Sequence, residues 1–413
     1  MCASCSWSLF AAIQAGVAKT DITPPVGTPL AGFSARMGKP STGVHDPLEA
    51  RALVLAVGDQ KLALVAVDHL GYDHAMVERV RALAAEPAGL PPERILVMAT
   101  HTHSGGGAFR DGLSILSGQY DPTVRALYEE RAAEAVKLAA SRMKPARIGF
   151  GSGALPGMSR FRSTWPPESM PELRPVDPEL AVLLVEDAAT SKPMAVLMNF
   201  AAHATVLGAN NMNFSSDWPG CARATLERLV GGGEVMAIYA NGAQGTISPR
   251  PPKGKTAFER AENLGSIVGI EAYKVLHTIT VSEEATLRFA RTPLTLKPQL
   301  PAGVPALRAF GESYSSEVAS IAIDGKVAMV TVPGEFSSIL NRDVKNRARA
   351  LGFQQVFLLG ITNDAVGYII SEDEYRHKTY EARVSFFGPH FGSLIANEAF
   401  QLLEQLNPPA VKK

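Results

Sequence analysis

The chain has 413 residues, 46% of them hydrophobic, which is enough for one large core or two medium ones. Lys plus Arg and Asp plus Glu both number 40, so the formal net charge is zero, and no basic field is present to hold nucleic-acid phosphates. No run of about 18 apolar residues occurs, so no transmembrane helix is expected and any membrane contact would be transient and superficial.

Three cysteines do not make a disulfide framework. Cys2-x-x-Cys5 has redox-motif spacing, but it lies at a terminus expected to fray. The short apolar run Ser8-Leu9-Phe10-Ala11-Ala12-Ile13 is preceded by no Lys or Arg. It therefore reads as a non-signal segment or the remnant of a signal, which favours the cytoplasm over secretion or the periplasm. Residues 1–15 are read as a tail and residues 16–408 as the folded body.

Asp21-Ile22-Thr23-Pro24-Pro25 interrupts any regular element, because proline lacks an amide donor and restricts its neighbour. Two apolar runs over 52–57 and 62–67 predict strands, with Gly58-Asp59 as a hairpin turn. The second run ends in Asp68-His69. A helix is predicted over 75–85 and a buried strand over 95–99 that leads into His101. Apolar residues at three- and four-residue spacing predict a helix over 128–143. Strands follow at 180–184 and 194–200, the second leading into Ala201-Ala202-His203. Asp217 is the expected N-cap of a helix over 217–230, with Pro219 in its first turn. A strand at 235–240 runs into the loop Asn241-Gly242-Ala243-Gln244-Gly245, and a long helix spans 258–276. The last third carries strands at 287–296, 317–323, 327–332 and 356–359 and helices at 337–350 and 392–406. The proline-rich pieces 165–175 and 249–252 read as surface loops. With no repeat and no internal boundary, the pattern predicts an α/β protein of mixed β-sheets covered by helices in a single large domain.

Metal-binding residue types repeatedly follow an apolar strand, where α/β proteins place their sites. His101 and His103 are two apart, so on an extended backbone both imidazoles face one ion or one substrate. Alone, the pair equally describes two surface histidines in a loop. Gly105-Gly106-Gly107 would let the chain bend and bring backbone amides to a ligand. His203, a lone histidine among small apolar residues, is either a satisfied core residue or a second nitrogen donor. Glu335 in Val332-Pro333-Gly334-Glu335-Phe336 either caps the next helix or supplies the oxygen of a mixed nitrogen and oxygen zinc site. The loop 241–249 would present Ser248 or backbone amides to a reacting carbonyl. Asn363-Asp364-x-x-Gly367-Tyr368 and Tyr380 form a further cluster, whose tyrosines read by themselves as partly buried anchors. No dinucleotide-binding fingerprint, phosphate-binding Walker loop or Gly-x-Ser-x-Gly elbow is present.

Taken in order, Asp21-Ile22-Thr23-Pro24-Pro25, Thr100-His101-Thr102-His103-Ser104-Gly105, Phe200-Ala201-Ala202-His203-Ala204-Thr205, Ser248-Pro249, Pro333-Gly334-Glu335-Phe336 and the stretch from Gly367-Tyr368 to Tyr380-Glu381-Ala382 resemble the neutral/alkaline non-lysosomal ceramidases. The match runs from about residue 16 to about residue 389. Such enzymes are zinc amidases that cleave ceramide to sphingosine and a fatty acid. The resemblance implies that His101, His203, Glu335 and Tyr368 hold Zn2+, and that His103 stays off the metal and binds the substrate or its oxyanion. It makes Ser248 the catalytic serine, Arg162 a substrate-contacting arginine and Tyr380 a second tyrosine of the site, with His103 and Tyr380 as candidate proton donors. Three departures stand out. The family's C-terminal immunoglobulin-like sandwich is not expected within these 413 residues, because the match already runs to about residue 389. The family's Gly-Asp-x-Ser-Pro reads Gly245-Thr246-Ile247-Ser248-Pro249, and its usual Gly-Pro after the second histidine reads Gly105-Gly106-Gly107.

The expected function is therefore zinc-dependent hydrolysis of a linear amide, N-acyl-sphingosine or a related N-acyl amide. One alternative is a zinc hydrolase of a smaller amide, ester or lactone. Another, favoured by Thr246, is a metal-containing binding module without activity.

Overall fold

The computed structural model describes residues 10–112, 114–231, 234–299 and 310–407. Cys2, Cys5 and the start of the apolar N-terminal run lie outside the described residues. The strand elements are β1 (Ala11–Asp21), β2 (Glu49–Val57), β3 (Gln60–Val67), β4 (Ile95–Ala99), β5 (Lys144–Ala154), β6 (Glu179–Asp187), β7 (Pro193–Phe200), β8 (Met236–Asn241), β9 (Leu287–Leu296), β10 (Tyr314–Ile323), β11 (Val327–Thr331) and β12 (Gln355–Leu359). The longer helices are α1 (His74–Ala88), α2 (Pro122–Ser141), α3 (Asp217–Val230), α4 (Ala257–Leu276), α5 (Ser338–Ala350) and α6 (Phe391–Leu406).

The large sheet has the order β8-β7-β6-β5-β1-β2-β3-β4, and a smaller sheet has the order β9-β10-β11-β12. The ladders are antiparallel except at β8/β7, β4/β3 and β11/β12, which are parallel. The sheets pack face to face, because Ile13, Leu53, Leu64 and Leu197 share one core with Ile321, Met329 and Phe357. α1 and α2 cover half of the outer face of the large sheet, α3 and α4 the other half, and α5 and α6 the smaller sheet. Strands covered on both faces need no polar alternation, which is why Leu53 to Val57 and Leu62 to Val67 are unbroken apolar runs. The expected α/β class with mixed sheets under helices is what the chain adopts.

Local signals explain the element ends. Asp73 caps α1 by accepting from Met76 N at 2.9 Å, Asp121 caps α2, and Thr256 caps α4 by accepting from Glu259 N at 3.0 Å. Two expectations change. The first strand starts at Ala11, inside the segment read as a tail, because pairing of Ala11 and Ala12 with Ala285 and Glu284 extends the sheet there. Asp217 is not the cap of α3. Ser216 holds that position, while Asp217 is the first helical residue with φ 56, and its carboxylate accepts from Trp218 N at 2.7 Å and Leu207 N at 3.1 Å.

No helix among the described residues is long and apolar enough to cross a membrane.

Candidate active site

The site lies where loops leave the parallel strands of both sheets. His101 follows β4, one edge strand of the large sheet, and His203 follows β7, which lies beside the opposite edge strand β8. Those edges are tied together by Asn241 Nδ2 donating to Thr100 O at 3.2 Å and by His103 N donating to Ala204 O at 3.0 Å. The smaller sheet joins through Asn199 Nδ2, which donates to Leu358 O at 2.9 Å. Glu335 and Tyr368 lie on two short parallel strands, Glu335–Phe336 and Tyr368–Ile369, directly opposite one another in register.

Three imidazoles converge. The ligand atoms of His101, His103 and His203 all lie within 4.8 Å of one another, a group able to hold a metal ion. His101 Nε2 is 3.2 Å from His103 Nε2. Glu335 Oε2 sits 2.9 Å from His203 Nε2 and 3.4 Å from His101 Nε2. The histidines are not held alike. His101 Nδ1 is 2.6 Å from Leu70 O, and His203 Nδ1 is 2.8 Å from Gln244 O and 3.0 Å from Ile247 O. A carbonyl at Nδ1 makes that nitrogen the donor, so the Nε2 lone pair faces the centre, as metal-binding histidines require. His103 Nδ1 is buried with no hydrogen-bond partner among the described residues. It packs beside Gly32, where a Cβ would lie 2.5 Å from Nδ1.

Electrostatics fit the same picture. Burial lowers the His203 imidazole to about 4, helped by Arg162, and burial with the neighbouring histidines holds His103 well below its ordinary value. Both rings are neutral near pH 7 and keep a free lone pair. Burial opposes ionisation of Glu335, but His101 and His203 hold its carboxyl well below the usual range. Neutral nitrogens around one carboxylate suit a borderline ion such as zinc. Burial, then Glu335, pushes the Tyr368 phenol well above its ordinary value, while the Arg162 guanidinium opposes this. Arg162 Nη2 donates to Tyr368 Oη at 2.8 Å and Gly245 O at 2.9 Å, with Nε 3.5 Å from Glu381.

The premise that His101 continues an extended strand does not hold. Its φ is 63, a left-handed conformation uncommon outside glycine. The two imidazoles meet because the chain turns at His101. The glycines that follow serve close packing: a Cβ at Gly106 would lie 2.0 Å from Tyr128 Oη and one at Gly107 2.1 Å from Ser117 O. Helix α5 is capped by Ser337, which accepts from Ile339 N at 3.2 Å, so Glu335 is not its cap. Tyr380 is 62% exposed, a rim residue rather than a buried anchor, with its ring 6.0 Å from that of Tyr368.

Ser248 is half-buried on the short strand Ile247–Pro249, opposite Arg160, one residue from the carbonyl that anchors His203. It is not among the cavity-lining residues; Thr246 is not either. Thr246 Oγ1 accepts from Ser338 N at 3.1 Å and pairs with Ser338 Oγ at 3.0 Å, so the substituted position steadies the start of α5. Cys221 is half-buried, and burial pushes its thiol up to about 12, which removes it as a nucleophile.

The centre opens into a cleft of ≈ 830 Å³ including its mouth, lined by His101, His103, Glu335, Tyr368 and Tyr380 together with Leu70, Phe109, Leu116, Phe310 and Phe386. Sequence reasoning missed this apolar wall, which comes from five separate segments. It also missed Arg36, a buried arginine that donates to Ala31 O at 3.0 Å, Gly208 O and Asn211 O at 3.1 Å, and the carbonyl of His103. Burial lowers its guanidinium to about 10. No local pattern marks a residue whose partners lie 67 and 175 positions away.

Asp364 stands behind the cavity wall. Its Oδ1 accepts from Ala365 N at 2.7 Å, Tyr314 Oη at 2.8 Å and His74 N at 3.1 Å. Burial raises its carboxyl from 3.8 to about 7. A folded value above the unfolded one means that its stabilising contribution is fully present below pH about 3.8 and is lost as pH rises through about 7. Asp364→Asn keeps the acceptor and removes the titration. Its melting temperature relative to the parent should climb between pH 4 and 7 and level off above. An offset that stays flat across that window would refute the assignment.

Four similarities to known proteins bear on this arrangement. Residues 13–260 match the family model described as neutral/alkaline non-lysosomal ceramidase, N-terminal. The chain is 23% identical to the neutral ceramidase of Pseudomonas aeruginosa, over 95% of this chain and 72% of that protein. It is 22% identical to neutral ceramidase A of Dictyostelium discoideum, over 91% of this chain and 70% of that one. The crystal structure of the Pseudomonas aeruginosa neutral ceramidase superposes with a TM-score of 0.83 at 22% identity, covering 96% of this chain and 75% of that chain.

Proposed function

The chain belongs to the neutral/alkaline non-lysosomal ceramidase family, whose members hydrolyse the amide bond of ceramide, and on that premise we propose that it is a zinc-dependent amidohydrolase of N-acyl lipid amides. The observation that carries the reading is the difference in anchoring. His101 and His203 have Nδ1 fixed by backbone carbonyls and Nε2 turned to Glu335, whereas His103 lacks such an anchor. His101, His203 and Glu335, with Tyr368, are the assigned holders of the ion, and His103 is left for the substrate. Zinc, when bound, supplies a Lewis acid and activates water near neutral pH.

The chain's own residues supply the rest. His103, 3.2 Å from His101 Nε2, is assigned to donate to the amide oxygen as it gains charge. Arg162 holds the Tyr368 hydroxyl at 2.8 Å and fixes that side of the centre. Tyr380, exposed at the rim, is assigned to hand a proton to the departing amine, which cannot leave as an anion. The apolar wall of Leu70, Phe109 and Leu116 takes the hydrocarbon chain and excludes water. Ser248, outside the lining, is assigned to support of the His203 loop rather than to attack.

Metal analysis of the purified protein, with mass-spectrometric turnover of ceramides, shorter N-acyl amides and matched esters, tests the proposal. One equivalent of zinc and amide cleavage lost on chelation are expected. Full activity in metal-free protein would sink it.

A further inference from the structure

Glu381 opens the short helical turn Glu381–Val384, directly after Tyr380, and is 2% exposed. Its two oxygens go to consecutive residues. Oε2 accepts from Ser163 Oγ at 2.9 Å, and Oε1 lies 3.5 Å from Arg162 Nε. That nitrogen makes no hydrogen bond among the described residues, so the contact with Arg162 is one of charge. A buried carboxylate is costly without a counter-charge, and Arg162 supplies it.

Arg162 is also tied to the centre. Nη2 donates to Tyr368 Oη at 2.8 Å and to Gly245 O at 2.9 Å, and its backbone N donates to Thr246 O at 2.9 Å. It follows the short strand Ser159–Phe161, which pairs with Ile247–Pro249, and the Ile247 carbonyl is one of the two that orient His203. Its charge is felt there. Burial first and Arg162 second hold the His203 imidazole low, and Arg162 opposes the rise that burial and Glu335 impose on the Tyr368 phenol. A guanidinium that disfavours a proton on His203 disfavours a divalent cation on the same ring for the same reason. Arg162 therefore supports the centre by its hydrogen bonds and opposes it by its charge. Glu381, which is not among the cleft-lining residues, offsets that charge without entering the cleft.

We propose that Glu381 is a positioning residue of the zinc amidohydrolase reading above, on which the inference rests. It neutralises Arg162 and, with Ser163, holds it in place, so that Arg162 keeps the Tyr368 hydroxyl at the centre without repelling the ion. It touches neither substrate nor ion and acts through Arg162.

Glu381→Gln keeps the shape and removes the charge. Zinc affinity, read by competition with a chelator, should fall about 10- to 100-fold. With zinc saturating, kcat for the amide that the parent cleaves best should fall by a similar factor, while KM stays within about twofold. Glu381→Asp, which keeps the charge, should restore part of both. A cycle with Arg162→Met separates positioning from general support of the fold. Once the cation is gone there is nothing to offset, so adding Glu381→Gln to Arg162→Met should cost less than about twofold in zinc affinity. Two neutral side chains are easier to bury than one lone charge, so the double variant carries the test if Glu381→Gln alone does not fold. Zinc affinity unchanged in Glu381→Gln, or reduced equally with and without Arg162, overturns the inference and leaves the hydrolase reading standing. An Arg162-dependent loss of zinc affinity in a protein that cleaves no amide does the reverse.

Discussion

His101→Ala should abolish amide hydrolysis, by at least about 10³-fold in kcat/KM, the order seen when a principal charge-stabilising group is removed. On the proposed ligand assignment, the capacity to bind zinc should be lost in the same step. The fold should survive, because the side chain makes its anchoring hydrogen bond to one carbonyl, Leu70 O at 2.6 Å, and the core around it comes from other segments. The backbone at φ 63 accommodates alanine with the same Cβ that histidine already carries, so no new clash arises. Metal stoichiometry, circular dichroism and turnover on one preparation check all three. Wild-type turnover in folded, metal-free His101→Ala would refute the assigned role.

Arg223→Met should instead strike the fold. Arg223 and Asp68 form a two-pronged ion pair at 2.9 and 2.7 Å, with both side chains almost wholly buried. Asp68 also accepts from Glu49 N at 3.0 Å. Removing the arginine leaves a carboxylate buried without its counter-charge, at a cost of about 3–5 kcal/mol. The melting temperature should drop sharply, and the double variant Arg223→Met/Asp68→Leu should regain much of the loss, because two apolar groups need no solvation. Unchanged melting of the single variant would show that the pair contributes little. The site should weaken with the fold. Asp68 begins the turn whose Leu70 carbonyl orients His101, so activity in Arg223→Met should fail at lower temperature than in the parent.

Asp68-His69 and the segment with His101 and His103 look alike in the sequence, polar residues at the end of an apolar strand. The structure separates them. His69 is enclosed by Tyr72, Phe109 and Tyr128, its Nδ1 is 3.0 Å from Gly71 O, and burial lowers it to about 4. It is a core histidine, whereas His101 faces an open cleft. No spacing rule distinguishes the two, because exposure to a cavity depends on segments hundreds of residues away.

What the sequence determined by itself was the element list and the order of the motifs. Unbroken apolar runs marked strands buried on both faces, and helix periodicity marked α2 and α4, because both patterns are local consequences of side-chain direction. The ordered motifs also named His101, His203, Glu335 and Tyr368. Tertiary structure decided what those residues do together. The turn at His101, the closure of β4 against β8 and the pairing of Glu335 with Tyr368 bring four distant segments to one centre. The carbonyls that orient His101 and His203, the bracing by Arg36 and the pairing of Arg162 with Glu381 are likewise long-range contacts. Their physical cause is the packing of two sheets, and no window of sequence contains both partners.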